Sequence, residues 1–255
     1  MTERNTGFDD DAFEILLEYE DWHWWFQNRN RLIIRLMKRF GTSHGRILEI
    51  GCGNGLVTEA ISREFPKSEI VATEFLAAGL VGARKRLPQV RFEQLDARDL
   101  NGSETYDIIC AFDVLEHIDA DVEVMKRVRN ALRDERSRFF ITVPQHMTLW
   151  SEADVFAHHE RRYTFREMRD KLRESGFELE YRTSYVFLLS PLMLLSRLRK
   201  QKHYDPQDEF RIGKPLNAAL SGMMRIESLL RRFGLPMPFG GSLVVVARPV
   251  QPTKS

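Results

Sequence analysis

A run of alternating glycines directly after a short apolar segment restricts what this chain can fold into. Residues 47–50 read Ile-Leu-Glu-Ile, which is typical of a buried strand, and Gly51, Gly53 and Gly55 follow at once. The residues from Leu56 to Phe65 then have the pattern of a helix. Glycine lets a ligand lie against bare backbone, and a helix N-terminus offers unpaired N–H groups and a positive dipole end. The pattern predicts a strand, a tight loop and a helix with a nucleotide-like ligand at their junction.

The spacing of these glycines disfavours two common nucleotide-binding loops. A dinucleotide-binding loop needs Gly-x-Gly-x-x-Gly, but position 56 is Leu. A phosphate-binding P-loop needs Lys followed by Ser or Thr after its last glycine, and that pair is absent here. The loop therefore matches neither of these two classes.

Residues 48–55, Leu-Glu-Ile-Gly-Cys-Gly-Asn-Gly, resemble the first motif of the Rossmann-like S-adenosylmethionine (SAM) methyltransferases. SAM ends in an amino acid, so it presents a carboxylate for backbone N–H groups and an ammonium for an acid. The resemblance implies that Glu49 lies beside the cofactor, together with Gly51, Cys52 and Gly53. A solvated strand end is the alternative for Glu49.

Two further acids follow the next predicted strands. Glu74 ends the strand at residues 69–74, about twenty residues past the loop, where a ribose diol is gripped in such folds. Asp96 follows the strand at residues 90–95, and the resemblance implies that it accepts a hydrogen bond from the adenine amino group. The neighbours of these acids are predicted to contact the cofactor as well: Phe75 and Ala97.

A second motif follows the fourth predicted strand, residues 107–112. Residues 113–118, Asp-Val-Leu-Glu-His-Ile, resemble the fourth motif of many small-molecule methyltransferases. Ligands of a doubly wound sheet sit outside the carboxyl ends of the strands where the strand order reverses, here between strands one and four. We therefore place Phe112, Asp113 and His117 at the cofactor, with His117 also a candidate catalytic residue. The alternatives are that Asp113 only shapes the pocket, that Glu116 is a surface acid and that His117 only bonds a neighbouring loop.

An aromatic segment precedes the glycine loop, and the apolar spacing from Asn30 to Phe40 after it predicts an amphipathic helix. Residues 22–26 read Trp-His-Trp-Trp-Phe, and they form either a packing cap or a lid over the cofactor and the substrate. Many bacterial small-molecule methyltransferases carry a similar His-Trp-Trp-Phe-x-x-Arg segment. We expect Trp25 to attract the sulfonium cation, Arg29 to pair with the cofactor carboxylate and Trp24 to contact substrate.

The loops after strand five supply candidates for the acceptor side. His146 and His159 are hypothesised to act as the general base, and both are also expected to contact the substrate. Residues 158–164, His-His-Glu-Arg-Arg-Tyr-Thr, resemble a segment of the same broad family. The other predicted substrate contacts are Trp150, Arg162 and Tyr163. No metal site is expected, because the histidines lack supporting cysteine or carboxylate spacing.

The order of predicted elements gives an α/β fold: a seven-stranded, doubly wound, Rossmann-like sheet with its last strand antiparallel. N-terminal helices precede the sheet, and a helical insertion precedes the last strand. The predicted units are a lid or cap at 1–40, a SAM-binding domain at 41–188, an insertion at 189–238, and a final strand and tail at 239–255. The insertion favours a lid or a homodimer surface, with shallow membrane contact as a further alternative.

The composition of the chain limits the classes of partner that we expect it to bind. The net charge is +1 with acids and bases interspersed, which gives no indication of a nucleic-acid groove. Only two cysteines are present, without metal spacing, and the N-terminus is too polar for a signal peptide. These features predict a cytoplasmic protein without stable membrane insertion.

The sequence as a whole therefore indicates a SAM-dependent methyltransferase with a small-molecule acceptor and a preference for oxygen. An Asn-Pro-Pro-Tyr type of run, which nitrogen-methylating nucleic-acid enzymes place after strand four, is absent. Two alternatives remain open: a non-catalytic binding or assembly subunit with the same fold, and a nicotinamide-dependent oxidoreductase.

Overall fold

The computed structural model describes residues 10–197 and 210–250. Three parts of the sequence-based prediction lie outside this part of the chain. They concern residues 1–8, the end of the C-terminal tail, and the basic residues after the first insertion helix, Arg199, Lys200 and Lys202.

A seven-stranded sheet forms the centre of the molecule, in the order β3-β2-β1-β4-β5-β7-β6. The strands are β1 (Arg46–Ile50), β2 (Glu69–Glu74), β3 (Arg91–Gln94), β4 (Ile108–Phe112), β5 (Arg138–Pro144), β6 (Phe177–Tyr185) and β7 (Ser242–Pro249). The first five strands pair in parallel, and β7 lies antiparallel between β5 and β6. The predicted doubly wound sheet with an antiparallel last strand is confirmed.

Nine helices are described around the sheet. They are α1 (Asp10–Tyr19), α2 (Trp24–Phe40), α3 (Leu56–Glu64), α4 (Ala77–Arg86), α5 (Asp121–Ala131), α6 (Glu152–Phe156), α7 (Phe165–Glu174), α8 (Ser190–Arg197) and α9 (Lys214–Arg232). Except at the start of α2, the ends of the predicted helices and strands lie within two residues of the observed ones.

The central strands are covered on both faces, so their side chains are nearly all apolar. On one face, Leu48 and Ile109 pack into a cluster that includes residues of α5 and α7. On the other face, Ile47 and Ile108 pack with residues of α2, α3 and α9. A parallel strand covered on both faces needs such a continuous apolar run, as the sequence of β1 predicts.

The strand order reverses between β1 and β4. These strands pair in parallel from Ile47 with Ile108 to Ile50 with Ala111. The chain leaves β1 toward α3 and leaves β4 toward α5, and the successive strands add on opposite sides. The loops that follow the two strands therefore separate and leave a crevice at the carboxyl edge, as the sequence predicts.

Helix α2 begins at Trp24, six residues before the predicted start at Asn30. The His23 side chain caps this helix by accepting a hydrogen bond from the Trp25 N–H, with a distance of 3.4 Å. The aromatic segment is thus the first helical turn. Its rings spread over several contacts: Phe26 is buried, while Trp25 lies edge-on to Tyr185. The rings therefore do not share one face of the helix, and they contact different parts of the chain.

The insertion is hydrogen-bonded to this N-terminal segment. Asn217 of α9 accepts a hydrogen bond from the Trp24 N–H at 2.7 Å and donates one to the Trp22 carbonyl oxygen at 3.1 Å. The expectation of a helical pair is consistent with α8 and α9. Among the helices of the described residues, none combines the length and the apolar content needed to cross a bilayer.

Candidate functional site

One large cavity, of about 1050 Å³, opens at the carboxyl edge of the sheet between β1 and β4. Seventeen of the residues singled out from the sequence lie in its wall. They are Trp24, Trp25, Arg29, Glu49, Gly51, Cys52, Gly53, Glu74, Phe75, Asp96, Ala97, Phe112, Asp113, His117, Trp150, His159 and Arg162. The two motifs, the aromatic segment and part of the acceptor-side loops thus meet at a single site.

The glycine loop needs glycine for two physical reasons. Gly51, Gly53 and Gly55 all have positive φ, at 69°, 50° and 80°, which side chains disfavour. A Cβ at Gly51 would also lie 2.4 Å from a methyl carbon of Val114. A Cβ at Gly53 would meet only Phe13, at 3.8 Å, so the backbone there is open to the cavity.

Two carboxylates flank this loop, and each has a defined partner. Glu74 accepts hydrogen bonds from the Gly53 and Leu76 backbone N–H groups at 3.0 and 3.1 Å. Glu49 is buried and accepts a hydrogen bond from the Thr58 hydroxyl at 2.6 Å. Burial raises the pKa of Glu49 to about 7. Neither acid is a solvated strand end, so that alternative for Glu49 was wrong.

Asp96 lies at the far side of the same cavity. Its carboxylate accepts a hydrogen bond from the Arg98 N–H at 2.9 Å and pairs with the Arg98 guanidinium at 2.8 Å. Ala97 starts the short turn that follows and is itself buried. The turn therefore holds the Asp96 side chain against the cavity wall.

Arg29 and Asp113 form an ion pair in the wall between the two motifs. Asp113 also accepts a hydrogen bond from the Thr142 hydroxyl at 3.0 Å, and it holds a positive φ of 57°. The Arg29 guanidinium lies over the Trp25 ring at 4.7 Å. Burial lowers the pKa of Arg29 to about 10. In this structure the ion-pair partner of Arg29 is therefore Asp113, whereas the sequence analysis assigned this arginine to the cofactor carboxylate.

The residues of this half of the cavity fit SAM. A ligand ammonium would meet buried carboxylates, and a ligand carboxylate would meet the exposed backbone of the glycine loop. The opening at Gly53, which a side chain would fill, is the feature that makes room for such a ligand. Glu49, Glu74 and Asp96 are the residues that would hold its polar groups, and bound SAM would supply an activated methyl group.

A second polar cluster lies in the same cavity, built around Asp154. His159 Nδ1 lies 2.9 Å from Asp154 Oδ1, and Arg162 binds both oxygens of Asp154 at 2.7 and 2.8 Å. The Asp154 side chain is fully buried, and these two partners hold its pKa below the ordinary value against the opposing effect of burial. The His117 and His159 rings meet edge-to-face, with centroids 4.7 Å apart. Burial lowers the pKa of His117 to about 3.

Glu116 is buried beside this cluster rather than exposed on the surface. Its exposed fraction is 0%, and neither carboxylate oxygen has a hydrogen-bond partner among the described residues. Burial raises its pKa to about 8. The surface-acid alternative was therefore wrong. The sequence analysis also missed Asp154, because only the fold brings it to His159 and Arg162.

His146 and Tyr163 lie outside the set of residues that form the cavity wall. The Tyr163 hydroxyl is buried, 2.7 Å from Asp121 Oδ2 and 3.0 Å from the Leu115 carbonyl oxygen. The His146 ring stacks on Phe239 at 4.3 Å. Direct substrate contact by Tyr163 is therefore corrected to a packing role, and the position of His146 does not favour its assignment as base.

Apolar groups from three parts of the chain complete the wall. Trp24 and Phe13 come from the N-terminal helices, whereas Val186, Met193 and Phe210 come from the region that begins after β6. The cavity thus combines an acidic half, a half with histidine and arginine, and an apolar wall.

The comparisons with known proteins agree on a single protein family. A family model described as a methyltransferase domain matches residues 22–181. A malonyl-[acyl-carrier protein] O-methyltransferase of Bacillus cereus is 40% identical over 81 residues, which cover 31% of this chain and 30% of that protein. A trans-aconitate 2-methyltransferase of Acidovorax ebreus is 32% identical over 105 residues, or 41% of each chain. These matches span less than half the length of the curated relatives.

A solved structure gives the same fold over a longer range. An S-adenosylmethionine-dependent methyltransferase of Clostridium acetobutylicum superposes with a TM-score of 0.58 at 14% identity. The superposition covers 88% of this chain and 92% of that one. At this level of identity the likeness concerns the fold alone.

Proposed function

Because this chain belongs to the methyltransferase family whose domain model covers residues 22–181, we propose that it transfers a methyl group from SAM to an oxygen of a small-molecule acceptor. The observation that carries the proposal is the division of one cavity into two chemically different halves. Carboxylates and a bare glycine loop form one half, and His117, His159 and Arg162 lie in the other.

The cofactor half is assigned residue by residue. Glu49 would accept from the ammonium, Glu74 from the ribose hydroxyls and Asp96 from the adenine amino group. Each is a buried or partly buried carboxylate in the cavity wall, and Glu74 also anchors the glycine loop through Gly53. Phe75 and Phe112 would pack against apolar parts of the ligand.

The other half would hold the acceptor. Methyl transfer is an in-line displacement, so the protein's main task is to fix the acceptor oxygen in line with the methyl group. The oxygen–carbon bond forms as the sulfur–carbon bond breaks, and the acceptor hydroxyl loses its proton. We propose that His117 and His159 contact the acceptor oxygen and assist that loss, with Asp154 fixing the orientation of His159.

The acceptor is proposed to carry a large apolar portion. Trp24, Trp150 and Met193 lie in the cavity wall, and they would cover such a portion by burying it from water. The name of the Bacillus cereus relative, an O-methyltransferase, supports oxygen as the methylated atom.

Three expectations from the sequence stay predictions. They are the cytoplasmic location, the unit boundaries at 40, 188 and 238, and dimerisation through the insertion.

The proposal is tested in two steps. Calorimetric titration of the purified protein with SAM should give one binding site, and candidate acceptors with a hydroxyl or carboxyl group should then produce S-adenosylhomocysteine. His159→Gln should lower kcat by about 100-fold or more while SAM affinity stays within a factor of two, because the residue acts on the acceptor side. SAM binding without turnover on any acceptor would favour the non-catalytic alternative, and NAD binding without SAM binding would favour the oxidoreductase.

A further inference from the structure

Three side chains in the acceptor half converge on one point. Glu116, His117 and His159 each offer a ligand atom, and these atoms all lie within 4.8 Å of one another. Two residues are adjacent in the chain, whereas the third lies on the loop after α6, so only the fold assembles the set. Two imidazoles and a carboxylate are a ligand set that Zn²⁺ and similar transition cations bind.

We propose that Glu116, His117 and His159 form a binding site for a divalent transition cation in the wall of the cavity. The binding itself stands without the proposed function. The consequence for catalysis rests on that function: the ion would bind the acceptor oxygen as a Lewis acid, and His159 would serve as a ligand rather than as a base.

Glu116 is the first independent reason for this inference. It has an exposed fraction of 0%, and both its oxygens lack a hydrogen-bond partner on any other described residue. Burying a polar group without a partner is costly, so native structures rarely leave a carboxyl group in this state. A bound cation would supply the missing partner.

The orientation of His159 is the second reason. Its Nδ1 faces the Asp154 carboxylate at 2.9 Å, so Nε2 points away from that carboxylate and is the atom left to bind an ion. A carboxylate that holds the far nitrogen of an imidazole is the usual arrangement behind metal-bound histidines. The backbone at Ala157 and His158 also hydrogen-bonds the His117 ring, which restrains the second imidazole.

The charges around the site are compatible with a cation. Glu116 and Asp154 each bring a negative charge when ionised, and Arg162 brings one positive charge that Asp154 already pairs in a bidentate manner. With neutral imidazoles the cluster keeps a net negative charge of one. The other arginines of the wall, Arg29 and Arg98, are paired with Asp113 and Asp96.

The geometry requires only a small adjustment. Tetrahedral ligands at the usual zinc bond lengths stand roughly 3.3 Å apart, so the three side chains would close by an ångström or so around the ion. Three protein ligands leave a fourth position, which is typical of a zinc ion that binds a water or a substrate. Because all three residues belong to the cavity wall, that position would face the cavity.

The test measures metal binding directly. Wild-type protein is stripped with EDTA, dialysed and titrated with Zn²⁺ in a calorimeter, and Co²⁺ is added separately to record visible absorption in the tetrahedral range. We expect one site per chain and a Co²⁺ spectrum. Glu116→Gln and His159→Gln should each weaken Zn²⁺ binding by more than the 10–100-fold that is typical of second-shell losses.

Matched controls separate this result from damage to the fold. His158→Asn removes the adjacent exposed imidazole and suits the positive φ of 52° at that position. Glu152→Gln removes an exposed carboxylate of the same cavity wall. Both controls should keep wild-type Zn²⁺ affinity, and all four variants should keep wild-type SAM affinity, which reports a folded cofactor half.

Two outcomes overturn the inference. One is the absence of a stoichiometric Zn²⁺ site in wild-type protein, and the other is equal Zn²⁺ affinity in wild type and Glu116→Gln. The methyl-transfer assay distinguishes this failure from failure of the proposed function. Turnover that persists in EDTA would leave the methyltransferase proposal intact with His159 as a base, whereas Zn²⁺ binding without SAM binding would remove the methyltransferase proposal alone.

Discussion

The Arg29 guanidinium pairs with the Asp113 carboxylate and so joins helix α2 to the carboxyl end of β4 inside the cavity wall. The two residues are 84 positions apart in the chain. The side chains are 10% and 24% exposed, so water reaches the pair on one side only. An ion pair in such surroundings is costly to break, because either partner alone would be left charged and poorly solvated.

Replacing Arg29 with Met should therefore destabilise the protein. The methionine fills similar space but leaves the Asp113 carboxylate without its cation, and we expect the free energy of unfolding to fall by about 2–4 kcal/mol. Urea denaturation followed by tryptophan fluorescence measures the change. In a double-mutant cycle, Asp113→Asn should restore part of the loss in the Arg29→Met background, and fully additive losses would argue against direct coupling.

A bulky side chain at Gly53 should block the cofactor half while leaving the fold intact. The backbone there is open to the cavity, so Gly53→Trp should weaken SAM binding by at least about 100-fold, since the ring would occupy the ligand's place. Calorimetric titration with SAM gives the comparison. Gly234→Trp is the matched control, because Gly234 also has a positive φ, at 82°, and has open space around it. Equal SAM affinity in both variants would mean that the cofactor site is misplaced.

The buried acids predict how stability depends on pH. Burial raises the pKa of Glu49 to about 7 and that of Glu116 to about 8, both from an ordinary value of 4.5. Between pH 4.5 and 8 these two carboxyls hold protons in the folded protein that the unfolded chain has released, so their contribution to the free energy of unfolding falls as pH rises through this window. The lowered pKa of His117 acts in the opposite direction below pH 6.5.

Glu116→Gln should make this fall shallower, because the amide does not titrate. Urea denaturation at pH 5, 6, 7 and 8, in metal-free buffer, gives the slope for wild type and variant. Glu64→Gln is the control: its partner Lys38 lowers the pKa of Glu64, so its effect belongs at and below pH 4.5. An unchanged slope in Glu116→Gln would show that this carboxyl does not carry its proton in the folded protein.

Glu227 of α9 should prove important for both stability and acceptor binding. It is fully buried and accepts hydrogen bonds from the Val186 and Leu188 N–H groups, each at 3.1 Å, and it pairs with Arg231 at 2.7 Å. Val186 lies in the cavity wall with a φ of 64°, an unusual conformation for a β-branched residue.

Glu227→Gln should lower the free energy of unfolding by about 1–3 kcal/mol and raise the KM for the acceptor more than the Kd for SAM. The amide keeps one acceptor oxygen but loses the charge that Arg231 pairs. Urea denaturation and steady-state kinetics test the two effects. An increase in both constants by the same factor would point to a general loss of structure instead of a local change at Val186.

The cofactor half could be predicted from the sequence because its signals are local. The glycines, Glu49 and Glu74 each lie at the end of a strand that an apolar run identifies, and a parallel sheet brings such ends to one edge. The start of α2 was missed, because His23 caps a helix of bulky rings whose partners lie far away in the chain.

The acceptor half could not be predicted in the same way. The burial of Glu116 depends on the loop around Asp154, and the pairing of His159 with Asp154 arises from a short helix that no periodic pattern indicated. Tyr163 was misassigned because its polar tip finds Asp121 in the core, a contact between elements separated by 42 residues. Local sequence patterns indicate where strands end, whereas the contacts of Glu116, His159 and Tyr163 depend on how distant loops pack against one another.

The hydrogen bonds of Asn217 to Trp22 and Trp24 have a consequence for how the protein is made. During synthesis the aromatic turn leaves the ribosome before its hydrogen-bonding partner Asn217 on α9, which lies 193 residues after Trp24. Strand β7, which separates β5 from β6, emerges later still. The hydrogen bonds of Trp22 and Trp24 to Asn217 can therefore form only after α9 has been synthesised, and a chaperone would have most reason to bind the nascent chain before that point.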